Sequence, residues 1–293
     1  MSNVFITPGT MEWGSTRMRC YWPSKYMQDT EVVEVPDNGR GEANMSLSHD
    51  AYIFQKQGNP ELQKSLIDSG KKVFLDQCDP MWWFSDQKLM RAMFENAHGA
   101  VFSSSELMKD FLLWYGEPYK AITIPDRMEP EHFNKKKVHH WINPVRFIWY
   151  GMVQNRVALA AVFANLSRLR VMGFNISLTI MDNYPSMPIT ETDDIPFLYT
   201  KWQLDKEVAQ IAAHDVALLP PYPGPWGKVK SNNRNIAAAM CNVPYTTGLD
   251  YDELVLLMDH KNREVYSEEQ SEGLDKYDVK LSAEEWERFI DAS

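Results

Sequence analysis

Basic residues lie beside a helix start in the C-terminal half of the chain. The segment Asp215–Pro244 begins as an apolar strand, enters a loop rich in proline and glycine that carries Lys228 and Lys230, and then opens a helix of small residues at Ser231–Arg234. A helix N-terminus offers backbone N–H groups without helical partners and the positive end of the helix dipole. With lysine and arginine beside it, this pattern predicts a diphosphate site, although a solvated basic loop would look the same.

Short apolar runs alternate with helical patterns around this segment. The predicted strands are Val4–Thr7, Glu31–Val35, Ala51–Gln55, Lys72–Asp76, Ala100–Ser103, Ala121–Ile124, Val145–Tyr150, Ile176–Met181, Pro196–Tyr199, Val216–Leu219 and Pro244–Thr246. Several are nearly continuous in apolar residues, as expected of strands covered on both faces. The alternation predicts right-handed crossovers and mostly parallel sheets, which is an α/β fold.

Helical patterns occupy the intervening segments. They cover Thr16–Met27, Pro60–Ser69, Ser85–Asn96, a stretch from Ser104 or Ser105 to Gly116, Arg156–Met172, Lys206–Ala213 and Asn232–Cys241. Asn59 and Gly70 are predicted to cap the helix between them. Ser282, followed three residues later by Glu285, is typical of a capping box and predicts that a last helix begins there.

The segment Asn134–Pro144 interrupts the alternation, because it is polar and basic and ends at a proline. We interpret it as the connection between two Rossmann-like domains. The predicted N-terminal domain covers residues 1–138 and the predicted C-terminal domain residues 139–281, with a last helix at 282–293 that we expect to pack back on the first domain. Open α/β sheets bind ligands at the carboxyl ends of their strands, so the cleft between the domains is the predicted site.

The composition excludes several classes of protein. The chain has 293 residues, 44% of them hydrophobic and 24% charged, which is ordinary for a globular protein. No apolar run approaches the roughly 18 residues of a membrane-spanning helix, and the N-terminus lacks the features of a signal peptide. Three distant cysteines fit reduced thiols, and we therefore expect a cytoplasmic protein. The net charge of −10 disfavours general binding to nucleic acid or anionic membranes.

Several segments resemble GT-B glycosyltransferases, particularly their group-1 set. The run DVALLP at Asp215–Pro220, followed by SNNR and a turn at Pro244, resembles the family's donor domain. The runs VRFIWYG and IPFLYTKWQLDKEVAQIAAHDVALLP are similar to other strands of that domain. In the first half, GSTRMRCYWPSKYM, AVFSSSELMKDFLLWYG and AITIPDRMEPEHFN resemble segments of the N-terminal domain. Together these runs cover most of the chain, and their order carries the resemblance.

The resemblance implies an enzyme that moves a sugar from a nucleotide diphosphate, by default UDP, to a hydroxyl acceptor. It implies no cofactor and no essential metal. Residues at the helix start and after the first donor strand would bind the diphosphate: Arg156, Lys230, Asn232, Asn233 and Arg234. A solvent-facing role is the alternative for Arg156. A second group would shape the pocket for the donor sugar and nucleotide: Gly151, Trp202, Tyr222, Trp226 and Lys228.

Two positions depart from the family pattern. Ala237 stands where the family usually has a glutamate that bonds the nucleotide ribose. The ribose contact must then come from another residue, or the nucleotide preference differs. The family's Pro-Asn-Gly turn is replaced by Pro125–Asp126–Arg127.

Asp79 is the predicted catalytic base. Glycosyl transfer has an oxocarbenium-like transition state, and an inverting enzyme needs a base for the acceptor hydroxyl, whereas a retaining enzyme relies more on the leaving phosphate. Asp79 follows the strand Lys72–Asp76, and the run KVFLDQCDPMWWF is similar to a phage DNA-base glucosyltransferase with an aspartate base in this loop. Asp76 is a competing candidate, and an aspartate that only caps the turn before Pro80 is the simpler interpretation.

The predicted acceptor side combines the loop after the first strand with two tryptophans: Gly14, Ser15, Arg17, Trp82 and Trp83. The tryptophans could stack on a sugar or a base, although core packing is the alternative for at least one. The acceptor is a glycan, a small molecule or a hydroxymethylated DNA base. The Asp79 loop and the tryptophans favour DNA, as does the basic stretch Lys135–Lys137 with His139 and His140. The net charge opposes it. No residue cluster has the spacing of metal ligands.

Two other classes of protein share part of this pattern. A non-catalytic nucleotide or nucleotide-sugar binding protein of the same fold is favoured by Ala237. An epimerase would need a pair of acid and base residues, which the sequence does not display, and a periplasmic-type binding protein would need a signal peptide. The sequence leaves open the sugar, the stereochemistry and the oligomeric state.

Overall fold

The chain divides into two units in the computed structural model, which describes residues 1–35, 48–56, 58–184 and 195–293. Unit 1 consists of Met1–Glu129, Lys228–Ser231 and Tyr277–Ser293, and unit 2 of Pro130–Gly227 and Asn232–Lys276. The chain therefore first passes from unit 1 to unit 2 between Glu129 and Pro130, before the predicted boundary at residues 138 and 139. Two short segments from the C-terminal half of the chain belong to unit 1.

Unit 1 is built on a parallel sheet of six strands in the order β2-β1-β3-β4-β5-β6. The strands are β1 (Asn3–Thr7), β2 (Thr30–Glu34), β3 (Ala51–Gln55), β4 (Lys72–Gln77), β5 (Gly99–Phe102) and β6 (Ala121–Thr123). Every residue of β1, β3 and β5 is buried, as expected of a parallel sheet with helices on both faces. Because all pairs are parallel, the carboxyl ends of these strands lie along one edge.

Unit 2 is built on a second parallel sheet, with five strands in the order β11-β10-β7-β8-β9. The strands are β7 (Val145–Tyr150), β8 (Ile176–Asp182), β9 (Phe197–Lys201), β10 (Val216–Leu218) and β11 (Tyr245–Thr246). All eleven predicted strands are thus present, with ends that differ from the prediction by at most two residues. The prediction of an α/β fold with two parallel sheets is confirmed.

Helices connect the strands of both sheets. They are α1 (Gly14–Thr16), α2 (Trp22–Ser24), α3 (Pro60–Asp68), α4 (Gln87–Glu95), α5 (Ser105–Tyr115), α6 (Phe163–Val171), α7 (Glu207–Ala212), α8 (Pro225–Val229), α9 (Asn233–Met240), α10 (Tyr251–Leu256), α11 (His260–Ser271) and α12 (Val279–Asp291). A π-helical turn at Arg17–Tyr21 joins α1 to α2, and a 3₁₀ segment at Val153–Ala161 precedes α6. The described residues include no helix with the length and apolarity needed to cross a bilayer.

The predicted capping box at Ser282 is wrong. Helix α12 begins three residues earlier, at Val279, because the Asp278 carboxylate accepts the N–H of Lys280 and caps the helix. Ser282 is a buried residue inside the helix, and Arg127 bonds both its hydroxyl and the carboxylate of Glu285. The serine and glutamate that suggested a cap therefore serve a tertiary contact.

Helix α12 completes the core of unit 1. Its side chains Trp286, Phe289 and Ile290 are buried with Phe5 of β1 and Phe74 of β4. The Trp286 ring meets the Phe5 ring edge-on, with 5.7 Å between the ring centroids. The last residues of the chain therefore cover one face of the first sheet.

The segment Asn134–Pro144 belongs to unit 2 and packs along it. The N–H of Lys137 donates to the carbonyl of Cys241 at 2.7 Å, and the Asn242 side-chain amide donates to the carbonyl of Lys137 at 2.8 Å. These two hydrogen bonds tie the segment to the end of α9.

The basic stretch Lys135–Lys137 does not present three lysines to a polyanion. The Lys137 ammonium is buried, 2.7 Å from a carboxylate oxygen of Asp215, and Lys136 bonds the carbonyl of Met240. Two of the three lysines that favoured a DNA acceptor are therefore engaged inside unit 2.

Candidate functional site

Charged side chains cluster at the carboxyl edge of the sheet of unit 1. Lys56 follows β3, Asp79 follows β4, and Asp126 follows β6. Lys230 and Ser231 reach this edge from the segment Lys228–Ser231. The edge is where a doubly wound sheet binds its ligands.

Asp79 is held between two lysines. The Nζ of Lys56 lies 2.9 Å from Oδ2 of Asp79, and the Nζ of Lys230 contacts Oδ1. Only 12% of the Asp79 side chain is exposed. Burial would raise the pKa of Asp79, but the charges and hydrogen bonds of Lys56 and Lys230 outweigh it and lower the pKa. Asp79 is therefore a carboxylate at neutral pH and, with both lysines in place, a weak base.

Lys56 is a residue that the sequence interpretation missed. Its backbone has a φ of 63°, in the left-handed region that residues with a Cβ rarely adopt. Its N–H donates to the carbonyl of Asp76 at 2.8 Å, and its carbonyl accepts from the side chain of Gln77 at 3.3 Å. Strained residues of this kind concentrate at functional sites. The available signal was its position directly after a predicted strand, the same rule that selected Asp79.

A buried arginine organises the neighbouring strand ends. Both nitrogens of one edge of the Arg19 guanidinium donate to the Asp76 carboxylate, and Nη1 donates to the carbonyl of Ile124 and to Asp126 at 3.2 Å. Asp126 also accepts the hydroxyl of Ser231. Asp76 is fully buried behind this pair, so the competing candidate for the catalytic base has no exposed carboxylate oxygen to offer an acceptor.

Two predicted acceptor-side residues are buried. Trp82 is 1% exposed, packs in the core of unit 1 and donates its indole N–H to Asp110, so it cannot stack on an acceptor. Arg17 is also buried, with Nη1 donating to the carbonyls of Met11 and Glu12 and with its guanidinium over the ring of Trp22. Both side chains are therefore engaged by local packing in unit 1, which for Trp82 is the alternative interpretation given above.

The other acceptor-side candidates stay accessible to different degrees. Trp83 is one-third exposed and donates its indole N–H to Asp110 at 2.9 Å. Gly14 and Ser15 form the first turn of α1, and the carbonyl of Ser15 accepts the side-chain amide of Gln55 at 3.0 Å.

Arg234 lies in the first turn of α9 at the carboxyl edge of the sheet of unit 2. The hydroxyl of Tyr150, the last residue of β7, donates to the Arg234 carbonyl at 2.6 Å and fixes this turn. Nη1 of Arg234 lies 3.4 Å from the carbonyl of Tyr150. A Cβ at Gly151 would lie 3.5 Å from the same nitrogen, at van der Waals contact, so Gly151 and the guanidinium are direct neighbours. Arg234 therefore lies next to Gly151, whereas Arg156, the basic residue predicted beside this glycine, is paired with Asp182.

No carboxylate within residues 1–35, 48–56, 58–184 and 195–293 forms an ion pair with Arg234. Burial lowers the pKa of the Arg234 guanidinium. Most buried arginines are paired with an acid, as Arg19 is with Asp76. A half-buried guanidinium of this kind is suited to an anion from outside the chain.

Arg156 has a different environment from the predicted one. Its guanidinium is buried, is paired with Asp182 of β8 and donates to the carbonyl of Tyr184 at 2.5 Å. It also lies over the ring of Tyr199, 5.5 Å from the centroid. Its charge is neutralised inside unit 2, and we leave it out of the diphosphate set proposed below.

Two further donor-side positions, Trp202 and Ala237, also lie in unit 2. Trp202 follows β9 and donates its indole N–H to Glu207 at 3.0 Å, while the other oxygen of Glu207 lies 3.3 Å from Nε2 of His132. Ala237 is buried in α9, so this helix presents no carboxylate at the position where the family has its ribose glutamate.

The loop between β10 and α8 is a tight turn. A Cβ at Gly227 would lie 2.1 Å from the carbonyl oxygen of Tyr222, so only glycine permits this close return of the chain. Tyr222 and Trp226 are half-buried and Lys228 is exposed. Asn232 precedes α9 as its N-cap residue, and Asn233 begins the helix.

No protein-family model matches the sequence, and no curated protein matches it. Solved structures are similar over the full length. HepE of Anabaena in complex with UDP aligns with a TM-score of 0.68 over 100% of both chains at 10% identity. The fold is the GT-B fold. An alpha-glucosyltransferase (AGT) in complex with UDP gives 0.68 over 99% of both chains at 11% identity, and a glycosyltransferase of Rickettsia africae gives 0.68 over 99% and 98% at 8% identity.

These similarities confirm the GT-B fold that the sequence motifs predicted. At such low identity they concern the fold alone. The assignment to the group-1 set and the roles of the individual residues stay predictions.

Proposed function

We propose that this protein is a glycosyltransferase that transfers a sugar from a UDP-sugar to a hydroxyl acceptor. The observation that carries the proposal is Arg234, a half-buried cation beside Gly151 at the carboxyl edge of a GT-B sheet, without a carboxylate partner in the described chain. The solved GT-B structures similar to this chain include HepE with UDP and with UDP-glucose, and AGT with UDP.

Arg234 would bind the donor diphosphate. Its planar guanidinium can donate two parallel hydrogen bonds to phosphate oxygens, and a phosphate would supply the charge that its surroundings lack. The first N–H groups of α9 lack partners within the helix and would add to the attraction. As the bond to the sugar breaks, the leaving diphosphate gains negative charge, which this cation stabilises.

Asp79 would act as the base of the transfer. Its carboxylate accepts the proton of the acceptor hydroxyl while the hydroxyl oxygen forms a bond to the anomeric carbon. The bond from that carbon to the phosphate oxygen breaks, and UDP leaves with the electron pair. This direct displacement inverts the configuration at the anomeric carbon, and it requires no cofactor or metal. Activity that persists in excess EDTA would support the last point.

The acceptor remains one of three classes: a glycan, a small molecule or a hydroxymethylated DNA base. Lys137 is buried beside Asp215 and Lys136 bonds the carbonyl of Met240, which weakens one of the features that favoured DNA. Transfer assays with radiolabelled donor should therefore compare all three classes of acceptor in parallel.

The first experiment is a thermal-shift screen with UDP, GDP, ADP, CMP and their sugar conjugates. A ligand present at about 100 times its Kd stabilises the folded state by about 2.7 kcal/mol. We expect UDP to raise the Tm of the natural protein and of Arg288→Ala, which removes an exposed arginine of α12. Arg234→Ala should lose the shift. A UDP shift that survives Arg234→Ala would contradict the assignment of the donor site.

A non-catalytic nucleotide-binding protein is the second candidate, favoured by the buried Ala237. It would bind UDP in the same screen. It would show neither transfer to an acceptor nor slow hydrolysis of the UDP-sugar, and Asp79→Asn would then change nothing measurable.

A further inference from the structure

We propose that Lys230 is an exchangeable partner of Asp79, which leaves the carboxylate for the donor diphosphate and so activates the base only when donor is bound. The inference rests on the proposed function. It assigns different roles to the two lysines that hold Asp79, one permanent and one exchangeable.

Lys56 has the features of a permanent partner. Its side chain is 18% exposed, and its Nζ lies 2.9 Å from the Asp79 carboxylate. Hydrogen bonds to Asp76 and Gln77 fix its backbone in the left-handed conformation. Moving this ammonium away would leave a charge buried at the strand ends, which is strongly unfavourable.

Lys230 has a fixed backbone and a more accessible side chain. The hydroxyl of Ser104 donates to the carbonyl of buried Val229 at 2.9 Å, and the hydroxyl of Ser231 bonds Asp126. These contacts anchor the residues on either side of Lys230. Its own side chain is 37% exposed, and its ammonium can rotate on a flexible four-carbon stem.

Charge decides which partner Lys230 prefers. An accessible ammonium gains more from a diphosphate, with its two or more negative charges, than from a carboxylate already neutralised by Lys56. Lys230 lies four positions before Arg234 in the chain, within the segment that the sequence predicts to bind diphosphate. The ammonium that leaves Asp79 would therefore have a stronger partner.

The other charged groups around Asp79 do not replace Lys230. Cys78 precedes Asp79, and its Sγ lies 3.8 Å from Oδ2. Burial raises the pKa of this thiol to about 12, so it stays neutral. Arg19 is bound to Asp76 and Asp126. Once Lys230 departs, Oδ1 of Asp79 loses its cation and becomes available to an acceptor hydroxyl, while Oδ2 stays on Lys56.

The test measures the titration of Asp79 directly by NMR of protein labelled with ¹³C at the aspartate carboxyls. The Asp79 signal is assigned as the one missing from Asp79→Asn. Each variant is titrated with and without saturating UDP, and UDP binding is measured separately by calorimetry. In the natural protein we expect UDP to raise the Asp79 midpoint by about one pH unit, a tenfold gain in proton affinity.

Two matched variants separate the roles of the lysines. Lys230→Met should show the raised midpoint already without UDP, and UDP should add little. Lys56→Met should also titrate higher without UDP but should retain the increase on UDP binding. Lys230→Arg, which keeps a mobile cation, should restore the UDP-dependent shift.

Three outcomes would overturn the inference. If UDP binds the natural protein and the Asp79 midpoint does not move, Lys230 does not exchange. If Lys230→Met retains the full UDP-dependent increase, the nearby phosphate charge explains the shift without any exchange. If calorimetry detects no binding of UDP, the proposed function fails, and the exchange fails with it.

Discussion

Asp79 and Arg234 are the two residues whose substitution should separate chemistry from binding. Asp79 lies in unit 1, where Lys56 and Lys230 contact its carboxylate, and Arg234 lies in unit 2 beside Gly151. If Asp79 is the base, Asp79→Asn should lower kcat by a factor of about 10² to 10⁴. The calorimetric Kd for UDP should not rise, because the substitution leaves Arg234 untouched and releases Lys230 for the diphosphate.

Asp68→Asn is a matched control, since Asp68 is an exposed aspartate at the end of α3. It should retain the kcat of the natural protein. An Asp79→Asn variant with unchanged kcat would assign the aspartate to the turn before Pro80 and remove it from the mechanism.

Asp215 should make stability depend on pH. Burial would raise its pKa, but hydrogen bonds from Arg146 and Lys137 outweigh burial and lower the pKa to about 2. Because the unfolded-state pKa is higher, at 3.8, the stabilisation is fully present above about pH 5 and is lost as the pH falls towards 2. We expect about 2 kcal/mol of the free energy of unfolding to disappear over this range.

Urea denaturation between pH 5 and pH 2 measures this contribution. Asp215→Asn should be less stable at neutral pH, because Lys137 is left buried without its carboxylate. Its free energy of unfolding should also fall less steeply with acid than that of the natural protein. Equal slopes for the two proteins would show that other carboxylates dominate the acid response.

Single residues divide into those that a strand-end rule finds and those that it does not. The rule selected Asp79, because a parallel sheet brings the ends of its strands to one edge. The helix start selected Arg234, and the family resemblance selected Gly151. The strand-end rule could not find that Asp182 pairs with Arg156, since that depends on which strand lies next in the sheet. Burial of Trp82 likewise depends on the helices packed over it.

Helix α12, although distant in sequence, packs against the strands of unit 1. Trp286 of α12 is 1% exposed and packs on Phe5. Trp286→Ala should therefore lower the free energy of unfolding by about 3–5 kcal/mol, through lost burial and a residual cavity. Trp141→Ala provides the matched control, because Trp141 is 74% exposed and should change it by less than about 0.5 kcal/mol.

Urea denaturation of the two variants measures both values. Similar losses for Trp286→Ala and Trp141→Ala would mean that α12 contributes little to the core.

The start of α12 shows why helix ends are harder to predict from sequence than strands. Two overlapping capping patterns compete there, one at Asp278 and one at Ser282. The tertiary contacts of Ser282 and Glu285 with Arg127 decide between them.

The whole molecule should respond to the donor unequally. If Arg234 binds the diphosphate, UDP should slow amide hydrogen exchange in the first turn of α9 and in the residues after β7, both in unit 2. Helix α12 of unit 1 should exchange at its original rate. Hydrogen exchange with mass spectrometry, with and without UDP, reads both regions at once. Protection that spread evenly over all peptides would indicate global stabilisation rather than a local donor site.

Because residues Tyr277–Ser293 complete unit 1, they also affect the order in which the two units can fold during translation. The sheet of unit 1 is encoded before residue 124, yet Trp286, Phe289 and Ile290 of its core leave the ribosome after the whole of unit 2. Domains usually fold as they emerge, beginning with the N-terminal one. Here unit 2 has its full sequence while the first sheet still exposes an uncovered apolar face. The first sheet is therefore completed only after unit 2 has been synthesised, and a nascent chain halted before residue 277 should leave this apolar face open to chaperones.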